Sequence, residues 1–378
     1  MRLALIVEQC LAPVLGGTAR YTRELAGALA ATAPAGSTAT GWTAWHRDRS
    51  AARVDLVGGP RALPLPRRAL AAAWQRGVGP APRAADVVHA TTLLAPPRRG
   101  IPLVVTVHDA VPWTHPETLT RHGVAWHRRM GERVARFADR VVVPTGAVGE
   151  ELCAALPGLT GDRLVVVGEG VSHALASVPP DAEARAARLR LPDSGYLLSL
   201  ATLEPRKGLD VLLAALADPA LTDSAEPAVP LLVVGQPGWG GIDPAAEASR
   251  LGLPPDRVRV LGRLPDADLT VVLHRATALV APSRAEGFGL PVLEAMAAGV
   301  PAVTSDAPAL VEVGGGATVV VPRDDSAALA TALRSVLSDG ALRTRLATGG
   351  PPRAARFAWP DAARALWTVY AEVARRPA

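Results

Sequence analysis

Short apolar runs alternate with helix-like segments along nearly the whole chain, and this alternation limits the possible folds more than any other feature. Runs this uniformly hydrophobic suit strands buried on both faces, and strands separated by helical segments return parallel to one another through crossovers. The runs at 3–7, 87–89, 103–107 and 141–143 predict a first parallel sheet, with 19–30 a helix whose Tyr21, Leu25, Ala28 and Leu29 share one face. A second series at 196–200, 231–234, 258–261, 279–281, 302–304 and 318–321 predicts another sheet. Between them a stretch rich in Pro, Ala and Arg near 175–192 reads as a linker. Segments 36–50 and 61–83 show no clear period and read as excursions from the first sheet. A chain of 378 residues is long enough for two cores. The expectation is therefore an α/β protein of two Rossmann-like domains, 1–175 and 192–358, followed by a closing segment, 359–378. That segment holds an amphipathic helix over 361–376, with Ala365, Leu366, Val369 and Val373 on one side.

Several classes are excluded at this stage. No run approaches the roughly 18 consecutive apolar residues of a membrane-spanning helix. The first eight residues, with one Arg and a very short apolar run, suit a buried strand better than a secretory signal, so a cytoplasmic location is expected. Cys10 and Cys153 are too few for a disulfide framework or a zinc site. Aromatic residues make up 4% of the chain and no nucleic-acid recognition module is present, so a nucleic-acid partner is not expected. Residues 1–180 carry 20 arginines against 13 acids, whereas the remainder is slightly acidic. The basic half suits a phosphorylated acceptor or an anionic membrane face, and scattered arginines on solvated helices explain it equally well. The chain has no Asn and a single lysine, Lys207.

Ligands of open parallel sheets bind where strand ends feed loops and helix starts, and three such junctions carry the chemistry. In Glu204-Pro205-Arg206-Lys207-Gly208 two adjacent cations stand at the mouth of a helix; a guanidinium can grip two phosphate oxygens while an ammonium adds a point charge. A solvated basic helix start is the alternative. In Glu286-Gly287-Phe288-Gly289-Leu290-Pro291 the glycines let backbone N–H groups approach a phosphate or sugar, and Pro291 and Gly299 bracket a helix over 290–298. Glu286 and Glu294 suit sugar and ribose hydroxyls rather than phosphate; either alone would also suit a helix start or a surface. In Thr106-Val107-His108-Asp109 a strand ends in a histidine that can exchange a proton with a hydroxyl, with a neighbouring carboxylate to fix its tautomer. The Gly16-Gly17 loop opens the first helix and, with Arg20 and Tyr21, borders the same face.

Together these motifs resemble the retaining glycosyltransferases of family 4, of GT-B fold, over nearly the whole length. The paired glutamates of Glu286 and Glu294, the Glu-Pro-Arg-Lys clamp, the Val107-His108-Asp109 strand end, the segment 138–145 and the closing segment 357–370 all match. The resemblance implies two Rossmann-like domains facing a central cleft, with the final helix crossing back onto the N-terminal domain. It also implies that Arg206 and Lys207 hold a donor diphosphate, that Glu294 takes ribose hydroxyls, and that Glu286 with the backbone at Gly287, Phe288, Gly289 and Leu290 takes the transferred sugar. His108 then touches that sugar from the other domain, Arg263 and Leu264 meet the base, Gly16 and Gly17 border the phosphates, and Arg20, Tyr21 and Asp109 lie on the acceptor side. The chain departs from the family pattern at Ala201-Thr202, where many members carry Gly-Arg, and at Gly168-Glu169-Gly170-Val171-Ser172, which replaces the usual Asn-Gly-Val-Asp.

The implied reaction is sugar transfer from a nucleotide donor, with retention by front-face attack and domain closure to exclude water. Arg206, Lys207 and the helix at Leu290 would offset charge developing on the leaving diphosphate. The Glu-Pro-Arg-Lys form of the clamp favours GDP-mannose, ahead of UDP- and dTDP-sugars, with a glycan, glycolipid or lipid-linked acceptor. No cofactor is required, and with Asp324 and Asp325 adjacent rather than alternating, no metal is expected at the site. Segment 121–137, with Trp126, Arg128, Arg129, Met130, Arg133 and Arg136, suits either peripheral contact with the inner membrane face or a solvated face over a packed helix. Two rivals stand: a pyridoxal-phosphate phosphorylase, for which Lys207 is the sole Schiff-base candidate, and a catalytically inactive nucleotide-sugar-binding or scaffold protein.

Overall fold

The computed structural model describes residues 1–222 and 229–375, so residues 376–378 of the expected closing segment lie outside the described residues. The chain forms two compact units, Met1–Gly170 with Ala358–Ala378, and Val171–Phe357.

The first unit is built on seven strands: β1 (Arg2–Ile6), β2 (Thr38–Trp45), β3 (Gly58–Pro66), β4 (Val87–Ala90), β5 (Leu103–Thr106), β6 (Arg140–Val143) and β7 (Leu164–Val166). All pair in parallel, in the order β3-β2-β1-β4-β5-β6-β7. The pleat sends Leu3 and Leu5 to one face and Ala4 and Ile6 to the other, and each face has its own apolar core. Burial on both sides is why these strands read as unbroken apolar runs. Helices Gly17–Ala31 and Trp359–Arg375 cover one face, so the end of the chain is part of this unit. Trp359, Leu366, Trp367, Tyr370 and Val373 are buried there, and the Trp367 indole donates to the Leu29 carbonyl at 3.0 Å.

Two segments expected as excursions are regular structure. Residues 38–45 and 58–66 form β2 and β3, and Arg67–Gln75 is a helix. Thr-, Ala- and Trp-rich β2 lacks the aliphatic run that marks a central strand. In β3 Pro60, Pro64 and Pro66 are tolerated because it is an edge strand, with a ladder on one side only. The edge strand β7 is three residues long and carries equally little signal.

The second unit carries β8 (Leu197–Leu200), β9 (Leu231–Val234), β10 (Val258–Gly262), β11 (Ala278–Ala281), β12 (Ala302–Ser305) and β13 (Val319–Val321), parallel in the order β10-β9-β8-β11-β12-β13. The expected linker is not a free tether. The units divide at Gly170, and the segment after it packs into the second unit. Leu175 and Ala186 are buried, and helix Ala182–Arg188 is fastened by Arg185 and Arg188, which both donate to Asp268 Oδ1, at 2.7 and 2.6 Å. Composition alone does not reveal a shared acid 80 residues downstream.

Candidate functional site

In the second sheet the chain runs outward from β8 through β9 to β10, then returns to place β11 against the other side of β8. The reversal leaves β8 and β11 as neighbours whose following loops diverge, which is where open parallel sheets form a ligand crevice. Both expected motifs lie on these two loops. After β8 come Glu204 to Gly208 and the helix Leu209–Leu216; after β11 come Pro282 to Gly289 and the helix Leu290–Ala297.

Backbone geometry locks the loops together. Gly208 has φ +64°, and a Cβ there would lie 2.1 Å from the Pro282 carbonyl oxygen, so the close approach of clamp and β11 loop requires glycine. Arg284 completes the joint. Its backbone N–H donates to the Arg206 carbonyl at 2.8 Å and its guanidinium to the Pro205 carbonyl at 2.6 Å, while Asp210 and Asp324 take its remaining donors at 2.7 to 2.9 Å. In sequence Arg284 lies between two motif residues and has no signal of its own.

The side chains meet at Glu286. Its Oε1 accepts from Lys207 Nζ at 2.5 Å and Ser283 Oγ at 2.8 Å, and its Oε2 accepts from Arg206 Nη1 at 3.3 Å. Arg206 Nε donates to Glu204 at 3.0 Å. The Lys207 and Glu286 side chains are only 16% and 10% exposed. Burial pushes the Glu286 carboxyl up, but Lys207 and Arg206 outweigh it and hold the group at about 2. Burial, then Arg206, pull the Lys207 ammonium down against the attraction of Glu286. A small pocket opens beside this cluster, lined by Ser199, Ala201, Lys207, Ser283, Glu286 and Gly289.

The remaining residues named for the second unit fall at the same sheet edge. Gly289 has φ +93° and precedes the helix; the Phe288 ring packs edge-on against Phe357 at 5.4 Å, leaving its backbone to the loop. Glu294, one turn into the helix, is 3% exposed. Exposed Arg263 and half-buried Leu264 follow β10, two strands from the clamp.

In the first unit the strand order reverses between β1 and β4, and Gly16 and Gly17 start the helix that follows β1. His108 follows β5. Its Nε2 donates to the Thr91 carbonyl at 2.8 Å, and its Nδ1 lies 3.7 Å from Glu169 Oε1. The carboxylate facing the imidazole is therefore Glu169, not the adjacent Asp109, whose Oδ1 accepts from the Val111 N–H at 3.2 Å and starts a short helix. Glu169 is 5% exposed and was missed because it stood out only as a departure from a family pattern. A second signal was present in the flanking glycines: a Cβ at Gly170 would lie 2.4 Å from the Trp359 backbone nitrogen.

Tyr21, expected on the acceptor side, lies in the core of the first unit. It is 2% exposed, its hydroxyl bonds to Thr106 Oγ1 at 3.0 Å, and its ring meets the His108 ring edge-on at 4.5 Å. Thr106 also bonds His89 Nε2 at 2.9 Å, and His89 Nδ1 bonds the Tyr370 hydroxyl at 2.6 Å. Burial, with the nearby His108, holds His89 down to about 3 and hence neutral. Arg20 is half-buried on the same helix. Residues 121–137 form a helix whose Met130 is buried and whose Trp126 packs on the core, so those two do not belong to an exposed membrane face; Arg121, Arg128, Arg129 and Arg136 are exposed. No helix among the described residues is long and apolar enough to cross a membrane. No three His, Cys, Asp or Glu side chains among the described residues gather as metal ligands.

Comparison with known proteins gives the family and the fold. Residues 181–352 match the glycosyl transferases group 1 and residues 15–175 match glycosyltransferase family 4. The D-inositol 3-phosphate glycosyltransferase 1 of Catenulispora acidiphila is 34% identical over 307 residues, covering 77% of this chain and 73% of that protein. The O-antigen chain mannosyltransferase B of Escherichia coli is 35% identical over 46% of this chain and 45% of its own, and the phosphatidyl-myo-inositol mannosyltransferase of Mycobacterium leprae is 37% identical over 45% of this chain and 44% of its own. Among solved structures, a sucrose-phosphate synthase from Thermosynechococcus elongatus superposes with a TM-score of 0.73 at 22% identity over 99% of both chains. Anabaena HepE in complex with UDP and glucose does so with a TM-score of 0.73 at 20% identity, over 98% of this chain and 100% of that one. At those identities the likeness shows the fold, two Rossmann-like units of GT-B type. The chain belongs to the glycosyl transferases group 1, with an N-terminal half of the family 4 type, and is a glycosyltransferase.

Proposed function

We propose that the protein transfers a hexose from a nucleoside diphosphate sugar, with retention at the anomeric carbon, to a glycan, glycolipid, lipid-linked or phosphorylated polyol acceptor. The observation that carries the reading is the meeting of Arg206, Lys207 and Glu286 at the reversal point of the second sheet. Two cations there suit a diphosphate, and a carboxylate beside them suits sugar hydroxyls.

In the proposed reaction the glycosidic bond to the leaving diphosphate breaks with an oxocarbenium-like carbon, and negative charge grows on the departing phosphate oxygens. Arg206 and Lys207, held by the Gly208 and Arg284 joint, meet that charge where it develops, so they favour the transition state over the ground state. The leaving phosphate takes the acceptor's proton. Glu286 and the backbone from Gly287 to Leu290 bind the sugar, and Glu294 binds the ribose. On the first unit His108, together with the Glu169 carboxylate that faces its Nδ1, meets a reactant hydroxyl.

GDP-mannose is the first donor on the Glu-Pro-Arg-Lys clamp and on two relatives named as mannosyltransferases; UDP- and dTDP-sugars follow. A phosphorylated acceptor draws on the basic first 180 residues and on the relatives named for inositol 3-phosphate. Contact of the exposed arginines of helix Arg121–Phe137 with an anionic membrane would bring a lipid-linked acceptor within reach. The test is incubation of the protein with labelled GDP-mannose, UDP-glucose and dTDP-glucose against inositol phosphate and lipid-phosphate acceptors. Acceptor-dependent release of one nucleoside diphosphate with an α-linked product supports the reading. Turnover with inversion, or none with any donor that binds, contradicts it.

A further inference from the structure

The charges that the reading above assigns to the diphosphate and to the sugar are paired with one another in the clamp. Glu286 uses Oε1 for Lys207 and Ser283 and Oε2 for Arg206, so its carboxylate is committed to protein donors rather than to a sugar hydroxyl. The two cations are committed in turn, Arg206 to Glu204 and Glu286, and Lys207 to Glu286. A diphosphate entering beside an intact triad would meet neutralised cations and a neighbouring carboxylate in a poorly hydrated place, where like charges repel strongly.

We infer that Glu286 stands in for the donor diphosphate in the free protein, and that donor binding exchanges one anion for the other at Arg206 and Lys207. This rests on the donor reading of the site. Phosphate oxygens take over the two cations, and the released carboxylate stays within the loop on the Ser283 hydroxyl, whose own backbone carbonyl is held by Ser305 Oγ at 2.5 Å. In the triad three donors already occupy the Glu286 carboxylate, and their exchange for phosphate opens both of its oxygens to a sugar hydroxyl. Recognition of the diphosphate and recognition of the sugar are thereby coupled in order: the sugar acceptor is uncovered by the phosphates that carry the sugar in. The same pairing keeps the half-buried Lys207 and Arg206 from standing side by side without a nearby anion.

The exchange predicts that removing a carboxylate from the active site tightens nucleotide binding. The experiment is calorimetric titration of GDP, UDP and dTDP into the wild-type protein, Glu286→Gln and Glu286→Asp. Glu183→Gln serves as an equal charge change on an exposed residue of helix Ala182–Arg188, where Glu183 pairs with Arg275. Glu286→Gln should bind the accepted diphosphate about tenfold tighter, the worth of one charge-assisted contact no longer displaced, while sugar transfer falls. Glu286→Asp keeps the charge and is too short for the 2.5 Å contact, so it should shift the same way without leaving uncompensated cations to loosen the fold. Glu183→Gln should bind as wild type does. Equal or weaker diphosphate binding by Glu286→Gln and Glu286→Asp overturns the exchange while leaving the donor site standing. Failure of the wild-type protein and all variants to bind any of the three diphosphates overturns the donor reading itself.

Discussion

The imidazole of His108 is held between two oxygens: Nε2 donates to the Thr91 carbonyl at 2.8 Å, and Nδ1 faces Glu169 Oε1 at 3.7 Å. A carbonyl can only accept, so the proton on Nε2 is fixed and Nδ1 is the nitrogen through which Glu169 acts. Glu169→Gln is expected to lower kcat by about tenfold, the size of one charged contact, with nucleoside diphosphate affinity unchanged. Glu169→Asp should recover part of the loss. Steady-state kinetics beside diphosphate titration checks this; parallel loss of kcat and nucleotide affinity would mean that Glu169 supports the fold rather than His108.

Acid should report the Glu286 ion pair. Its carboxyl is held at about 2 in the folded chain against an ordinary 4.5, because Lys207 and Arg206 outweigh burial. A folded value below the unfolded one adds stability that is fully present above the unfolded value and is lost as the pH falls through the folded one. The contribution is at most about 3 kcal/mol, lessened by the burial that pulls Lys207 down. The stability gap between the wild-type protein and Glu286→Gln is therefore expected to be widest above pH 4.5 and to close toward pH 2, as read by denaturant unfolding at stepped pH. A gap independent of pH would show that the charge of Glu286 does not stabilise the fold.

Two glycines separate backbone strain from close approach. Gly208 and Gly262 have nearly equal φ, +64° and +67°, but a Cβ on Gly208 would strike the Pro282 carbonyl at 2.1 Å, whereas one on Gly262 meets nothing within 4 Å. Gly262→Ala should cost about 1 kcal/mol of strain. Gly208→Ala should cost clearly more and also weaken nucleotide binding, since relief of the clash moves the clamp. Thermal unfolding and diphosphate titration of the pair check both statements.

How much of this was legible before the structure depends on where each residue's signal lies. Central strands such as β5 and β9, buried on both faces, announce themselves as apolar runs; edge strand β3, with its prolines, does not. The clamp and the Glu286 loop were readable because phosphate and sugar recognition needs cations, glycines and carboxylates at fixed short spacing, and these are neighbours in sequence as well as in space. Glu169 and Arg284 act through partners 61 and 74 to 79 residues away, Glu169 on His108 and Arg284 on Asp210 and Pro205, and no local pattern records such pairs. Tyr21 carries both an apolar ring and a hydroxyl, so its sequence position beside a glycine loop suited a site as well as a core; its bond to Thr106 puts it in the core.

The central claim is that a nucleoside diphosphate binds at the reversal point of the second sheet through the single lysine and its neighbouring arginine. The measurement that tests it most directly is calorimetric titration of GDP, UDP, dTDP and ADP into the wild-type protein and into Lys207→Met, which keeps an unbranched stem and removes the charge. Binding of one diphosphate by the wild-type protein, weakened about tenfold or more in Lys207→Met, is the expected result. Equal affinity in the two proteins, or binding of none of the four by the wild-type protein, would contradict it.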